Sequence, residues 1–237
     1  MNYALGRKAG MTQVFAPDGS PVPVTVVEVG PCTVVQRKTA EKDGYEAVQL
    51  GFLPRKEKGY SKAELGHFKK HGVQPFRVLR EVPVAEEDKD LQPGGVVDVT
   101  VFDRGDWVDV TSVTKGRGFQ GVIKRHKFRG GPGSHGGMFD RLPGSMSASS
   151  FPSRIFKGKR LPGHMGAVRQ TVQGLLVVDV QPDANVLMVR GAVPGPKNGI
   201  VLLRRSIRTK KAALEKPKEQ VRSMDPLKAS KRAARGG

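Results

Sequence analysis

The stretch WVDVTSVTKGRGFQGVIKR, Trp107 to Arg125, changes character halfway along. Trp107 to Thr111 has the alternating valines of a short strand, and from Val113 onward Lys, Arg and Gly take over. Between Val113 and Gln170 the chain carries twelve Lys and Arg residues, twelve glycines and one acid, Asp140, with no apolar run long enough for a core. The basic set is Lys115, Arg117, Lys124, Arg125, Lys127, Arg129, Arg141, Arg154, Lys157, Lys159, Arg160 and Arg169. Ordering backbone costs about 1–2 kcal/mol per residue, and a segment of this composition has little to bury in return. Opposite charge from outside offsets that cost, and a phosphate backbone is the obvious source.

Outward from this stretch, the placement of charge says more than the total. The formal net charge is +19. The central segment accounts for +11 of it. Arg204 to Gly237, with twelve basic residues against Glu215, Glu219 and Asp225, accounts for +9 and leaves −1 for the remainder. A nearly neutral body with two basic appendages points to a nucleic-acid partner more directly than a high isoelectric point does. The plainer reading of such runs is a solvated linker and a disordered tail, and two of them on a neutral body count against it.

The 237 residues fit one compact domain with extensions, or two small domains. The single cysteine, Cys32, excludes an internal disulfide framework and a Cys-based zinc site; beside Val34 and Val35 it reads as a small core or edge residue. No stretch is long and apolar enough to cross a bilayer, the Met1 region lacks the blocks of a secretory signal, and an intracellular, reducing compartment follows. The basic segments lack the Trp, Phe and Leu face of an interfacial helix, so no membrane partner is expected.

The first fifty residues read as a meander of short strands: Gln13 to Phe15, Val22 to Val29, Thr33 to Arg37 and Ala47 to Gly51, with a turn at Pro17-Asp18-Gly19. Ser61-Lys62-Ala63-Glu64 fits a capping box, with Leu65 and Phe68 on one face and Gly72 as a stop, which predicts a short helix. Arg77 to Val84 fits a strand, Glu86 to Asp90 an acidic turn, and Val96 to Phe102 and Trp107 to Thr111 two more strands about Arg104-Gly105. Thr171 to Val180, Asn185 to Val189 and Gly199 to Leu203 resume the pattern. Residues 1–112 and 171–206 are therefore expected to close one sheet or barrel, with a small helical insertion at about 55–90. Residues 113–170 leave it as a basic, Gly-rich excursion, and 207–237 form a basic tail. A long loop in a compact domain is expected to be functional.

Gly116-Arg117-Gly118-Phe119-Gln120-Gly121 matches the dinucleotide fingerprint, with Asp140 about twenty residues on. Its context fails, because Val122 to Gly131 is too basic and too short for a crossover helix and no apolar strand precedes Asp140. The glycines instead permit close approach to a nucleic-acid backbone. His126, His135 and His164 have no Glu, Asp or Cys at ligand spacing, and Ser145, Ser147, Ser149 and Ser150 have no paired base. No catalytic residue, metal, cofactor or small-molecule substrate is expected. Phe119, Phe128, Phe139, Phe151 and Phe156 are interleaved with the cations; each either stacks on an unpaired base or pins the loop to itself.

Three longer stretches carry a resemblance. Gly6-Arg7-Lys8-Ala9-Gly10-Met11-Thr12-Gln13-Val14-Phe15 opens the chain. Phe102 through Arg125 has Asp109, Ser112, Thr114, Gly116-Arg117-Gly118, Gly121 and Arg125 in a fixed pattern. His164-Met165-Gly166, Thr171-Val172-Gln173 and Gly191-Ala192-Val193-Pro194-Gly195 close it. Together they resemble the universal large-subunit ribosomal protein L-three family in its bacterial form, over Met1 to about Ser206. The resemblance implies a mainly β fold, a six-stranded barrel like that of translation factors, and no enzymatic activity. It also implies binding near the 3′ end of the large ribosomal RNA, a part in starting subunit assembly, and a loop reaching toward the peptidyl transferase centre. By position the loop tip is Ser147, Ala148, Ser149, Ser150, Phe151 and Pro152, flanked by Arg141, Arg154, Lys157, Lys159 and Arg160 on RNA backbone. The implied partners are large-subunit ribosomal RNA and neighbouring large-subunit proteins, in the cytoplasm. Several bacterial relatives methylate a glutamine near the tip; the matching position here is Ser150, so that modification is expected to be absent. The tail beyond Ser206 is longer than the family pattern; Lys210, Lys211, Lys216, Lys218, Lys228, Lys231 and Arg232 offer a further RNA contact, with a helical piece from Thr209 to Lys216. The competing reading is a free RNA chaperone or regulator built on the same barrel.

Overall fold

The computed structural model describes residues 1–84 and 91–208. In chain order the elements are β1 (Tyr3–Phe15), β2 (Pro21–Val29), β3 (Cys32–Lys38), α1 (Ala40–Asp43), β4 (Ala47–Pro54), α2 (Lys62–Lys70), β5 (Phe76–Pro83) and β6 (Val96–Val97). They continue with β7 (Trp107–Val113), β8 (Phe119–Gln120), α3 (Val122–His126), β9 (Gly163–His164), β10 (Arg169–Gln181), β11 (Val186–Arg190) and β12 (Ile200–Arg205). Six strands close a barrel in the order β1-β12-β7-β10-β11-β2, the mainly β, six-stranded architecture that the family resemblance implied. Every strand pairing among the described residues is antiparallel, which rules out the parallel βαβ unit of a dinucleotide fold.

Alternation along the strands fills the barrel. Val27, Val29, Val108, Val110, Val177, Leu187, Val189, Val201 and Leu203 point inward, and Val99 and Phe102 join the same core. Between them, Leu5 of β1 and Ile200 and Leu202 of β12 face outward and are covered as well. The cover is a second sheet, in the order β5-β4-β3-β6, whose Val34, Val48, Leu50, Phe52 and Val82 pack on the outside of the barrel. On this sheet's other face Val35 and Phe76 pack with Phe68 of α2, alongside Tyr60, Val73 and Leu79. The strands between Cys32 and Val97 thus form a layer of their own instead of joining one sheet with the rest. A sheet with apolar residues on both faces needs a partner on each side, and β1 and β12 find theirs in this layer.

Two elements differ from the sequence reading for local reasons. β1 starts at Tyr3, ten residues before Gln13, although Gly6, Lys8, Ala9 and Gly10 are poor strand formers. Pairing with both β12 and β2 overrides propensity, and the register slips between Lys8 and Gly10. Val96 to Phe102 is a strand only at Val96–Val97 and then a 3-10 turn at Val99–Val101. Here the chain crosses from one core to the other, Val97 belonging to the inter-sheet cluster and Val99 to the barrel. The helix expected after Ser61 is present as α2. Ser61 Oγ accepts from the Glu64 N–H at 3.3 Å and Glu64 Oε2 accepts from the Ser61 N–H at 2.8 Å. Gly72 follows it at φ +67°. The acidic turn Glu86 to Asp90 and the tail from Thr209 lie outside the described residues.

Arg204 and Arg205, counted with the basic tail in the charge reading, belong to β12 and pair with body acids. Arg204 Nη2 lies 2.5 Å from Asp109 Oδ2 and Arg205 Nη2 lies 3.5 Å from Asp106 Oδ2.

Candidate nucleic-acid interface

The excursion begins where β7 and β10 are still paired, Ser112 opposite Gln170 and Val113 opposite Arg169. Beyond the barrel the two strands stay together. Thr114 N–H donates to Val168 O at 2.9 Å, Arg117 N–H to Met165 O at 2.8 Å and Met165 N–H to Gly118 O at 2.9 Å, and β8 then pairs with β9. The arm therefore leaves as a two-stranded stalk. Gly166 lies at the tightest point of it, at φ +77°, where an added Cβ would stand 2.2 Å from Lys115 O. At the end of the stalk α3 folds back on the returning strand. Arg125 Nη1 donates to Leu161 O at 2.7 Å and His126 Nε2 to the same oxygen at 3.0 Å. Farther out, the Gly131 N–H reaches Phe139 O at 3.1 Å and Asp140 O at 3.2 Å.

Among the described residues, 119–164 hydrogen-bond only within 117–165. Val122 is buried, yet it belongs to none of the three core clusters. The arm is thus held by backbone bonds and by Arg125 and His126, with no share in the body's core.

Its surface is cationic and apolar together. Of the twelve basic residues, Lys115, Arg117, Lys124, Lys127, Arg129, Arg141, Arg154, Lys157, Lys159, Arg160 and Arg169 are exposed, and Arg125 is half-buried against Leu161. Among the described residues the ion pairs lie in the body and none engages an arm cation. Ten of the fifteen exposed large apolar residues lie between Val113 and Val168, four of them phenylalanines: Phe119, Phe139, Phe151 and Phe156. Phe128 is the exception; it is half-buried, its ring centroid 6.0 Å from that of His126. One ring, Phe128, packs within the arm and the other four face outward. The tip is small and solvent-facing. Ser147 to Phe151 are exposed, Pro152 is half-buried, and the Ser153 hydroxyl donates to Ser150 O.

Sequence reading missed one cation at the arm's root. Lys8 of β1 donates from Nζ to Val193 O at 2.7 Å. Burial, and after it the nearby charge of Lys115, lowers its pKa. More than a hundred residues separate the two in sequence, and only the closed barrel brings β1 beside the start of the arm. Among the described residues no group of His, Cys, Asp and Glu could hold a metal ion, and no helix is long and apolar enough to cross a membrane.

Fold and surface together define a class: a barrel-bodied protein with a cationic, aromatic arm. Comparison with known proteins makes this specific. Residues 90–186 match the family model "Ribosomal protein L3". The large ribosomal subunit protein uL3 of Syntrophotalea carbinolica is 54% identical over 202 residues, 85% of this chain and 96% of the relative. That of Pelotomaculum thermopropionicum is 53% identical over 206 residues, covering 87% and 97%. That of Thermotoga maritima is 52% identical over 211 residues, covering 89% and 100%. The chain belongs to the ribosomal protein L3 family. It is a structural constituent of the large ribosomal subunit and not an enzyme.

Proposed function

We propose that the arm lies along large-subunit ribosomal RNA, with the cations from Lys115 to Arg169 on phosphates and Ser147 to Pro152 at the peptidyl transferase centre. The body sits near the 3′ end of that RNA and helps start subunit assembly. One observation carries the reading: eleven arm cations are exposed with no acid partner among the described residues, amid exposed aromatic rings. Such an arm supplies backbone neutralisation and stacking at once, the two terms that RNA recognition combines. The address near the 3′ end rests on the family resemblance.

Replacing Arg154, Lys157, Lys159 and Arg160 by Ala is expected to flatten the salt dependence of RNA binding, by up to about 0.9 in slope per lost duplex phosphate contact. An unchanged slope moves the contacts elsewhere. Crosslinking in living cells, with the bound RNA sequenced, tests the address. Reads are expected at the 3′ end of the large ribosomal RNA and at the peptidyl transferase centre; reads scattered over many transcripts would favour a free chaperone.

A further inference from the structure

Away from the arm, three arginines converge on one depression in the body. Arg7 of β1, Arg77 of β5 and Arg55, just past the end of β4, line a hollow of about 470 Å³ together with Leu53 and Pro54. No acid is among its lining residues, although the body as a whole is close to neutral. None of the three lies within residues 90–186, where the family match falls.

Two of the three guanidinium groups are held in place while keeping donors unspent. Arg7 gives Nε–H and one Nη2–H to Glu28 Oε2, at 3.1 and 2.6 Å, and retains the rest of its five N–H groups. Arg55 lies over the Tyr60 ring, its Cζ 5.4 Å from the centroid. It also lies close to Gly59, where an added Cβ would come within 2.7 Å of Nη2 and 2.9 Å of Cζ. The Arg55 N–H donates to Pro75 O at 2.9 Å, which ties this segment to the start of β5 and so to Arg77. Arg77 is exposed on that strand. Glu64, a carboxylate under the electrostatic influence of Arg55, is already engaged by Ser61 in the capping box. A fork oriented by a carboxylate, a fork packed against a ring and a glycine, and a third from the neighbouring strand form a cradle for a tetrahedral oxyanion.

We propose that this cradle binds a backbone phosphate of large-subunit ribosomal RNA, as an anchor on the body separate from the arm. The site rests on the RNA-binding reading above, and the same experiment separates the failure of one from the failure of the other. Salt-dependent binding to a large-subunit RNA fragment is measured for the full chain, for the arm variant with Arg154, Lys157, Lys159 and Arg160 replaced by Ala, and for Arg55→Ala/Arg77→Ala. The cradle variant is expected to lose affinity and to flatten the slope by roughly 0.7–0.9 per lost contact, on top of the arm's effect. Arg55→Lys/Arg77→Lys is expected to recover the slope, since charge is kept, but not the full affinity, since the fork is lost. If the full chain binds, the arm variant weakens and the cradle variant matches the full chain, the cradle is refuted and the RNA-binding reading stands. If the full chain does not bind the RNA, both fall. Photocrosslinking of the wild-type complex provides a readout independent of any variant's folding: adducts on the Pro54–Tyr60 peptide are expected, and their absence alongside arm adducts overturns the site.

Discussion

Asp109 is placed where β7, β10 and β12 meet. Its Oδ2 takes the Arg204 guanidinium and its Oδ1 the N–H of Gly174, at 3.0 Å, where the β10 register slips between Val172 and Leu175. Burial alone would push this carboxyl up, but the Arg204, Gly174 and Ser206 hydrogen bonds outweigh it and hold the pKa below the ordinary carboxylate value. A lowered folded-state pKa stabilises the fold fully above the unfolded value of about 3.9, and the contribution fades as pH falls through the folded one. Asp109→Asn is expected to cost about 2 kcal/mol in urea unfolding at pH 7, with the gap to the parent shrinking below pH 4. Cys32 behaves with the opposite sign. Burial pushes its thiol to about 11 despite a contact from Sγ to Leu5 O. Its stability contribution is therefore present below the unfolded thiol value of about 8.5 and is lost as pH rises toward 11. Iodoacetamide at pH 8 is expected to leave the native protein unlabelled and to modify Cys32 quickly in guanidinium. Of these two residues only Cys32 was legible in sequence, because its valine neighbours mark it as buried; nothing local to Asp109 announces an arginine ninety-five positions away.

At the scale of elements, legibility followed locality. The Ser61 to Glu64 box and the Val-rich β2 are each written in consecutive residues, and each is found where the sequence places it. The root of the arm was readable too, since Trp107 to Arg125 passes from strand to stalk within a few residues. What could not be read was which strands share a sheet. β3 and β4 look like β2 in composition, and their assignment to the second layer depends on the outward faces of β1 and β12. The arginine cradle was hidden for the same reason, being assembled from residues in β1, past β4 and in β5. The arm's separateness has a direct test. Replacing residues 115–168 by a short Gly linker is expected to leave a cooperatively unfolding barrel, by circular dichroism and urea titration, whose RNA binding is weak. Loss of cooperative unfolding would make the arm part of the core.

The whole molecule divides labour by charge. The body folds on its own apolar residues, with Glu28, Glu81, Asp106 and Asp109 paired to its own cations, and among the described residues no ion pair engages an arm cation. On the proposed reading, the arm's RNA contacts and the body's folding rest on different residues and respond to different conditions, since salt acts on phosphate contacts far more than on a buried core. The stalk also has a mechanical side. Because β7 and β10 continue out of the closed barrel still hydrogen-bonded to each other, the arm is a cantilever clamped along two adjacent staves, not a tether on a swivel. A sideways load at the far end arrives at the wall as bending. The wall is notched just inside the clamp, where β10 slips register, and there the Asp109 carboxylate bolts Gly174 to β7 and, through Arg204, to β12. A lever with its fulcrum pinned across three staves keeps its aim under load.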